Sequence, residues 1–138
     1  MIQRLLSSKA WNADLASLFL RLTFGISMLI FHGYTKLMRW DEISVEFAQP
    51  FGLPDYWAAA LTVFAEFFCC IFIALGLFTR FAAIPIIICM AVAAFKIHAG
   101  DPWEDKEASL GYMMAFVAVF LLGSGKYSID NFLFNKKK

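Results

Sequence analysis

Charge is scarce in this sequence, and that scarcity argues against a nucleic-acid partner. Charged residues make up 17% of the 138 residues, and the formal net charge is +1 at pH 7. A protein that binds a polyanion carries a basic face, whereas the basic run here is a C-terminal tail of three lysines, residues 136–138. We therefore expect no nucleic acid among its partners.

Cysteine is also sparse, and its spacing predicts neither a metal site nor a disulfide. The three cysteines are Cys69, Cys70 and Cys89, and each lies in an apolar run. None forms a CxxC pair or another spacing typical of metal ligands. Adjacent residues such as Cys69 and Cys70 also point to different sides of a helix. We interpret all three as small buried apolar residues and expect no metal site.

Apolar residues, by contrast, are present in excess. They make up 61% of the chain, and the mean hydropathy is +0.67, whereas a soluble domain is roughly 45–50% apolar. A chain this short cannot hide so much apolar surface in one soluble core, because small domains leave much of their area exposed. The excess indicates that a lipid bilayer surrounds much of the chain.

Four apolar segments predict a single membrane domain over residues 1–138. The predicted spans are about 15–38, 57–78, 81–98 and 107–124. A span needs roughly 20 apolar residues of helix, and backbone groups in lipid must be paired within the protein. The period-2 alternation of a membrane β-barrel is absent. We therefore predict an all-α integral membrane protein, a four-helix bundle of up-down-up-down topology.

The basic residues predict the orientation of that bundle. Four spans place both termini on one side, and cytoplasmic loops are enriched in Lys and Arg. The side with the termini is the more basic, so both termini are predicted to be cytoplasmic. Arg21 lies inside the first segment, which also lacks a small-x-small cleavage site, so this segment is predicted to be a permanent helix rather than a signal peptide. The side with the termini holds Arg4, Lys9, Arg80, Lys126 and Lys136–Lys138. The opposite side holds Lys36, Arg39, Lys96 and Lys106.

Ionisable residues inside the apolar segments are the candidates for a site. Arg21, His32 and Lys36 share one face of the first helix, because steps of three and four residues return to the same side. Glu66 lies near the middle of the second span, where an unpaired charge costs about 3 kcal/mol. We expect Glu66 to pair with one of these cations in a polar pocket that opens to the extracytoplasmic side. Gly33 is interpreted as a position of close helix packing.

Each candidate has a structural alternative. The Glu66 pair could serve only to fix the register of two helices, since a buried ion pair need not stabilise. His32 could make a hydrogen bond between helices instead of exchanging protons. Long side chains near helix ends can simply reach the interface or contact lipid headgroups. This last alternative applies to Lys36, Arg80, Lys96 and His98.

Five stretches together resemble the DoxX family of small four-span membrane proteins. They are LRLTFGISMLIFHGYTKL (20–37), FAEFF (64–68), ALGLFTRFAAI (74–84), FKIHAGD (95–101) and GSGKYSID (123–130). The resemblance implies a multi-pass protein of the bacterial inner (cytoplasmic) membrane. It also implies an association with oxidoreductases, since related proteins are membrane subunits of an archaeal thiosulfate:quinone oxidoreductase. The polar family positions would be His32, Lys36, Glu66, Arg80 and His98.

The function predicted on this basis is that of a subunit of a quinone-linked membrane redox system. A redox partner protein would supply electrons, because the sequence carries no CxxC or nucleotide-binding motif, and whether the chain is itself an enzyme stays open. Quinone reduction takes up protons, so Glu66 and His32 are the candidate catalytic residues. The ligand-binding candidates are Arg21, Lys36, Lys96, His98 and Arg80.

The cofactor is left open, with a quinone as the candidate. A haem held by His32 and His98 is disfavoured, because the two residues are predicted to lie at unequal depths. The alternative function is non-enzymatic: a carrier, sensor or assembly scaffold that binds a small anion or a lipid headgroup. Assembly as a homo-oligomer fits the small size of the chain equally under either function.

Overall fold

The computed structural model describes residues 6–9 and 11–135, and all regular structure in these ranges is helical. This confirms the all-α prediction for the described part of the chain. Arg4 and Lys136–Lys138, which entered the orientation argument, lie outside it. The helices are α1 (Ala13–Met38), α2 (Trp40–Ile43), α3 (Asp55–Leu75), α4 (Thr79–Ile97), α5 (Trp103–Leu122) and α6 (Ile129–Phe134), with a 3₁₀ turn at Pro50–Gly52.

In the described part of the chain, three helices are long and apolar enough to cross a membrane. These are α1, α3 and α4, with 26, 21 and 19 residues. The fourth predicted span falls in α5, which has 20 residues. Its first turns contain the charged run 104–107, and this shortens its apolar part. Length and composition therefore support three of the four predicted spans.

Each of the three span-length helices contains a π-helical stretch. These stretches are Leu29–Tyr34 in α1, Phe64–Cys69 in α3 and Ala93–Ile97 in α4. A π stretch widens the helix locally and is often found at functional sites. The stretches of α1 and α3 contact each other. They bring the backbone of His32 and that of Glu66 to the same region of the bundle.

The four long helices surround one apolar core. α1 packs against α3 and α5, and α4 packs against the same two helices. The beginning of α1 lies beside the end of α5, where the Ser17 hydroxyl donates a hydrogen bond of 2.6 Å to the Gly123 carbonyl. Burial of apolar and small side chains between these helices excludes lipid from the interior. The largest buried apolar side chains of the core are Phe116, Met28, Ile73, Ile86 and Val119.

The turn between α3 and α4 is closed by a residue from the other end of the sequence. Gly76 ends α3 in the left-handed conformation, with φ of 69°. Phe78 takes the N-cap position of α4, and its apolar side chain cannot accept a hydrogen bond from the first turn. Asp130 of α6 does so instead, accepting from the backbone N–H groups of Phe78 and Thr79 at 2.7 and 3.0 Å. Asp130 therefore acts as an N-cap supplied from a distant segment.

Replacing Asp130 by alanine should lower the free energy of unfolding by about 1 kcal/mol, the usual cost of removing an N-cap side chain. Unfolding in detergent micelles, followed by circular dichroism, would measure the change. Glu46→Ala removes an exposed carboxylate from the loop before α3 and is the matched control. Equal stability of the two variants would contradict the capping role.

Candidate functional site

Glu66 of α3 is buried and forms an ion pair with Lys36 of α1. The Lys36 ammonium Nζ donates to Oε2 of Glu66. The side chain of Glu66 is 4% exposed, whereas that of Lys36 is 26% exposed. The carboxylate is therefore sheltered, and the ammonium reaches it from near the end of α1. The predicted ion pair is present, and Lys36 rather than Arg21 or His32 is the cation.

Gly33 permits the close approach of α1 and α3 at this pair. It is buried, and a Cβ atom added at residue 33 would overlap the backbone carbonyl of Glu66. Small residues allow helix backbones to approach in this way in membrane proteins. The interpretation of Gly33 as a close-packing position is confirmed, and its contact is with the residue that carries the buried charge.

His32 connects the ion pair to a tyrosine of α5. The ring centroids of His32 and Tyr112 are 5.4 Å apart, and the rings meet edge to face. The Tyr112 hydroxyl shares a hydrogen bond of 2.7 Å with the Ser27 hydroxyl. His32 is also close enough to Glu66 and Lys36 to interact with both electrostatically. Ser27, Tyr112 and His32 thus form a series of neighbouring polar side chains that ends near the ion pair.

Cys89 of α4 adds a thiol to this group. Its Sγ lies 3.9 Å from Oε1 of Glu66, at the distance of a weak hydrogen bond from sulfur. All three cysteines pack in or against the apolar core, as expected, and Cys89 has the contact with Glu66 in addition. We call the set Ser27, His32, Lys36, Glu66, Cys89 and Tyr112 the mid-bundle cluster.

Three members of the mid-bundle cluster lie halfway along their helices. Glu66, Cys89 and Tyr112 are each within two residues of the middle of α3, α4 and α5. Residues advance about 1.5 Å each along a helix, so these three groups share nearly one level. A carboxylate, an imidazole, two hydroxyls and a thiol are types of group that can accept and donate protons. Ionisable residues inside a membrane bundle commonly mark pathways for protons or ligands.

Arg21 lies apart from this cluster. Its guanidinium is fully buried and donates to the carbonyls of Ile73 and Ala74, both at 3.2 Å, and of Tyr127 at 2.6 Å. The last carbonyls of a helix have no partner in the helix itself, and those of α3 bind this cation. The structure therefore does not place Arg21 beside Glu66, contrary to the expectation of one shared pocket.

Lys96 and His98 are also outside the cluster, near the end of α4. The Lys96 ammonium lies 5.3 Å from the centre of the Phe51 ring. The His98 Nδ1 lies 2.8 Å from a carboxylate oxygen of Asp101. These contacts agree with the interfacial alternative. His98 follows the last residue of α4, whereas His32 lies inside α1.

The loop between α1 and α3 is held by a surface ion pair and aromatic contacts. Arg39 donates to Glu42 at 2.9 Å, and this guanidinium lowers the pKa of the Glu42 carboxyl. The rings of Trp40 and Tyr56 meet edge to face with centroids 5.5 Å apart. Ile43 of α2 packs against the beginning of α3. The loop is therefore ordered over the end of the bundle from which Lys36 enters.

Arg80 lies at the other end of the bundle, where its Nε donates to the Phe120 carbonyl at 3.1 Å. It lines a cleft of about 670 Å³ together with Asp14 and Lys126. A second cleft, of about 470 Å³, lies on the surface of α5. Neither cleft includes Glu66, so neither corresponds to the expected pocket around that residue.

Sequence reasoning missed three members of the cluster: Ser27, Cys89 and Tyr112. The signal for Ser27 and Tyr112 was a hydroxyl inside an apolar segment, where such a group needs a partner. That signal does not say which residue is the partner, because 85 positions separate the two in the chain. Cys89 gave no signal at all, since a thiol in an apolar run usually packs as an apolar residue.

Several apolar helices of span length around a buried polar cluster define an integral membrane protein. Residues 16–99 match the DoxX family, which is well over half of the chain, and the protein belongs to that family. The matched region contains α3, α4 and all but the first three residues of α1, and with them every cluster residue except Tyr112. Comparison with curated proteins and with solved structures gives no match.

Proposed function

We propose that this DoxX protein is a membrane subunit of a quinone-linked redox system, in which the mid-bundle cluster exchanges protons with a quinone. The observation that carries the proposal is the buried Glu66–Lys36 pair within electrostatic reach of His32. Charges at this depth are rare in membrane helices and are commonly functional. Glu66 and His32 are the proposed proton-exchanging residues, and Lys36 is the charged partner of Glu66.

The proposed topology has α5 as a fourth span and both termini in the cytoplasm. The packing of α5 against both α1 and α4 supports this, because a helix outside the bilayer would not lie along both. Its charged first turns lie beside Trp103, whose ring is 5.4 Å from the Lys106 ammonium. Such pairs of aromatic and basic side chains are typical of the membrane interface. The Lys36 end would face the outside of the bacterial inner membrane.

The residues of the cluster fit a quinone headgroup. A quinone is apolar enough to enter from lipid, and when bound it accepts electrons and protons. His32 and Tyr112 are partly exposed and their rings meet between α1 and α5, so a ligand that enters there from the lipid would contact these two side chains. Glu66 lies behind them as a sheltered proton acceptor. Electrons would come from a redox partner protein.

The test is quinone binding by the purified protein. We expect solvent extraction and mass spectrometry to detect bound quinone in the wild type. A short-chain quinone added to protein stripped of its own quinone should bind about tenfold more weakly to His32→Gln and Glu66→Gln, since each loses a hydrogen-bonding or charged partner worth ~1.4 kcal/mol. Arg39→Gln is the control, because it alters a cation outside the cluster. Equal affinity of all four proteins would refute the proposal.

The alternative is a non-enzymatic carrier, sensor or assembly scaffold. The ion pair supports it in part, because the charges of Glu66 and Lys36 satisfy each other and could fix only the register of α1 and α3. Proteoliposomes that pass a small anion, with no quinone in the protein, would favour the carrier. Full cellular function of both Glu66→Gln and His32→Ala would favour the scaffold, acting as a homo-oligomer or with a partner.

A further inference from the structure

A second candidate site lies at the end of the bundle away from Lys36. The cleft of about 670 Å³ is bounded by the beginning of α4, the end of α5 and α6. Two cations, Arg80 and Lys126, lie in its wall together with exposed apolar side chains. Neither cation belongs to the mid-bundle cluster, and the redox proposal uses neither.

No acidic side chain in the part of the chain that the structure describes forms an ion pair with the cations of this cleft. Within residues 6–9 and 11–135, neither Arg80 nor Lys126 forms an ion pair. Two carboxylates, Asp14 and Asp130, also line the cleft, but both accept hydrogen bonds from backbone N–H groups. The Arg80 guanidinium uses Nε for the Phe120 carbonyl, and its two terminal nitrogens are left to bind an anion.

The cleft also has exposed apolar side chains. Phe81, Leu122 and Phe134 are 77%, 41% and 64% exposed and lie at the ends of α4, α5 and α6. At the end of a membrane helix, acyl chains meet the polar headgroups of the bilayer. Apolar and cationic side chains are therefore adjacent at the depth where a phospholipid offers both an acyl chain and a phosphate.

We propose that this cleft binds an anionic phospholipid. Its phosphate lies between the Arg80 guanidinium, which can bind two phosphate oxygens at once, and the Lys126 ammonium. Its acyl chains lie along Phe81, Leu122 and Phe134. A free phosphate would satisfy only the cations and leave the apolar wall unused, so the lipid is the better fit.

The test is lipid binding by delipidated protein in neutral detergent. Phosphatidylglycerol and phosphatidylcholine would be titrated separately and bound lipid counted by native mass spectrometry. We expect a preference for phosphatidylglycerol that falls about fivefold in Lys126→Gln and about twentyfold in Arg80→Gln/Lys126→Gln, since a cation at the membrane surface contributes about a fivefold effect. Arg80→Lys/Lys126→Arg keeps both charges and should keep the preference.

The control is Arg39→Gln/Lys106→Gln, which removes two positive charges at the other end of the bundle. Loss of the preference for phosphatidylglycerol in Arg80→Gln/Lys126→Gln, but not in the control, supports the site. Equal loss or equal retention of that preference in both double variants overturns the proposal. If Arg80→Gln/Lys126→Gln fails to fold, the single variant Lys126→Gln provides the test, because the Lys126 side chain is exposed. An unchanged preference for phosphatidylglycerol in Lys126→Gln overturns the proposal. Displacement of the lipid by an equal concentration of inorganic phosphate would show a phosphate site and overturn the lipid assignment.

Discussion

Replacing Lys36 by methionine should lower the free energy of unfolding by about 3 kcal/mol. The substitution keeps most of the aliphatic chain but leaves the Glu66 carboxylate, 4% exposed, without its cation. Breaking a buried ion pair from one side costs roughly 3–5 kcal/mol. We expect the lower end of that range because Lys36 is itself 26% exposed and water can enter from its side. Reversible unfolding in mixed detergent micelles would measure the loss.

Replacing Glu66 should lower the free energy of unfolding less than replacing Lys36. Glu66→Gln removes the sheltered charge and leaves Lys36, which can turn its ammonium toward the interface. We expect this variant to lose at most about 1 kcal/mol, the net worth of a typical hydrogen bond. The double variant Lys36→Met/Glu66→Gln should recover most of the stability lost in Lys36→Met. A double variant as unstable as Lys36→Met would show that the lysine acts through contacts other than the carboxylate.

A surface pair provides the control for this cycle. Arg39 and Glu42 form an ion pair three residues apart on the exposed side of the loop. Exposed pairs contribute little, because water screens both charges and the side chains lose freedom. Arg39→Met should therefore leave unfolding unchanged within the error of the measurement. A loss equal to that of Lys36→Met would mean that positive charge at this end of the bundle, not burial of the pair, stabilises the fold.

The sequence predicts that Glu66 pairs with a cation, but it does not predict which cation. A charged glutamate in the middle of an apolar segment favours pairing with a cation, and three candidates share one face of α1. The choice depends on where α1 crosses α3, and Gly33 sets that crossing beside Glu66. Arg21 shows the limit of the helical-face argument. It lies on the expected inward face, yet it donates to carbonyls at the end of α3 and not to Glu66.

The helices were easier to predict than their internal irregularities. Hydropathy located the four segments, and the differences lie at the ends: α3 ends at Leu75, where Gly76 reverses the chain, rather than near residue 78. The π stretches could not be foreseen, because they arise from packing between helices rather than from local propensity. Glu66 and His32 lie within two of these stretches. The cleft beside Arg80 likewise depends on α6 folding back over the α3–α4 turn.

Replacing Gly33 by alanine should lower the free energy of unfolding by about 2–3 kcal/mol and weaken quinone binding as well. The added Cβ would occupy the position of the Glu66 backbone carbonyl. Backbone atoms of two packed helices cannot move aside singly, so α1 and α3 must separate or shift, and adding a methyl group to a filled core costs roughly 1–3 kcal/mol. Separation would also draw the Lys36 ammonium away from its carboxylate. Unfolding in micelles and the quinone titration would measure the two effects.

Two other glycines make this test specific. A Cβ at Gly25 of α1 would meet Cγ2 of Ile73 at 3.5 Å, an ordinary contact, and one at Gly111 of α5 would meet nothing within 4 Å. Alanine favours a helix over glycine by about 1 kcal/mol, so Gly25→Ala and Gly111→Ala should be neutral or slightly stabilising. If Gly33→Ala were equally well tolerated, α1 and α3 would not be in contact at Glu66. The ion pair would then lose the crossing that brings Lys36 within reach.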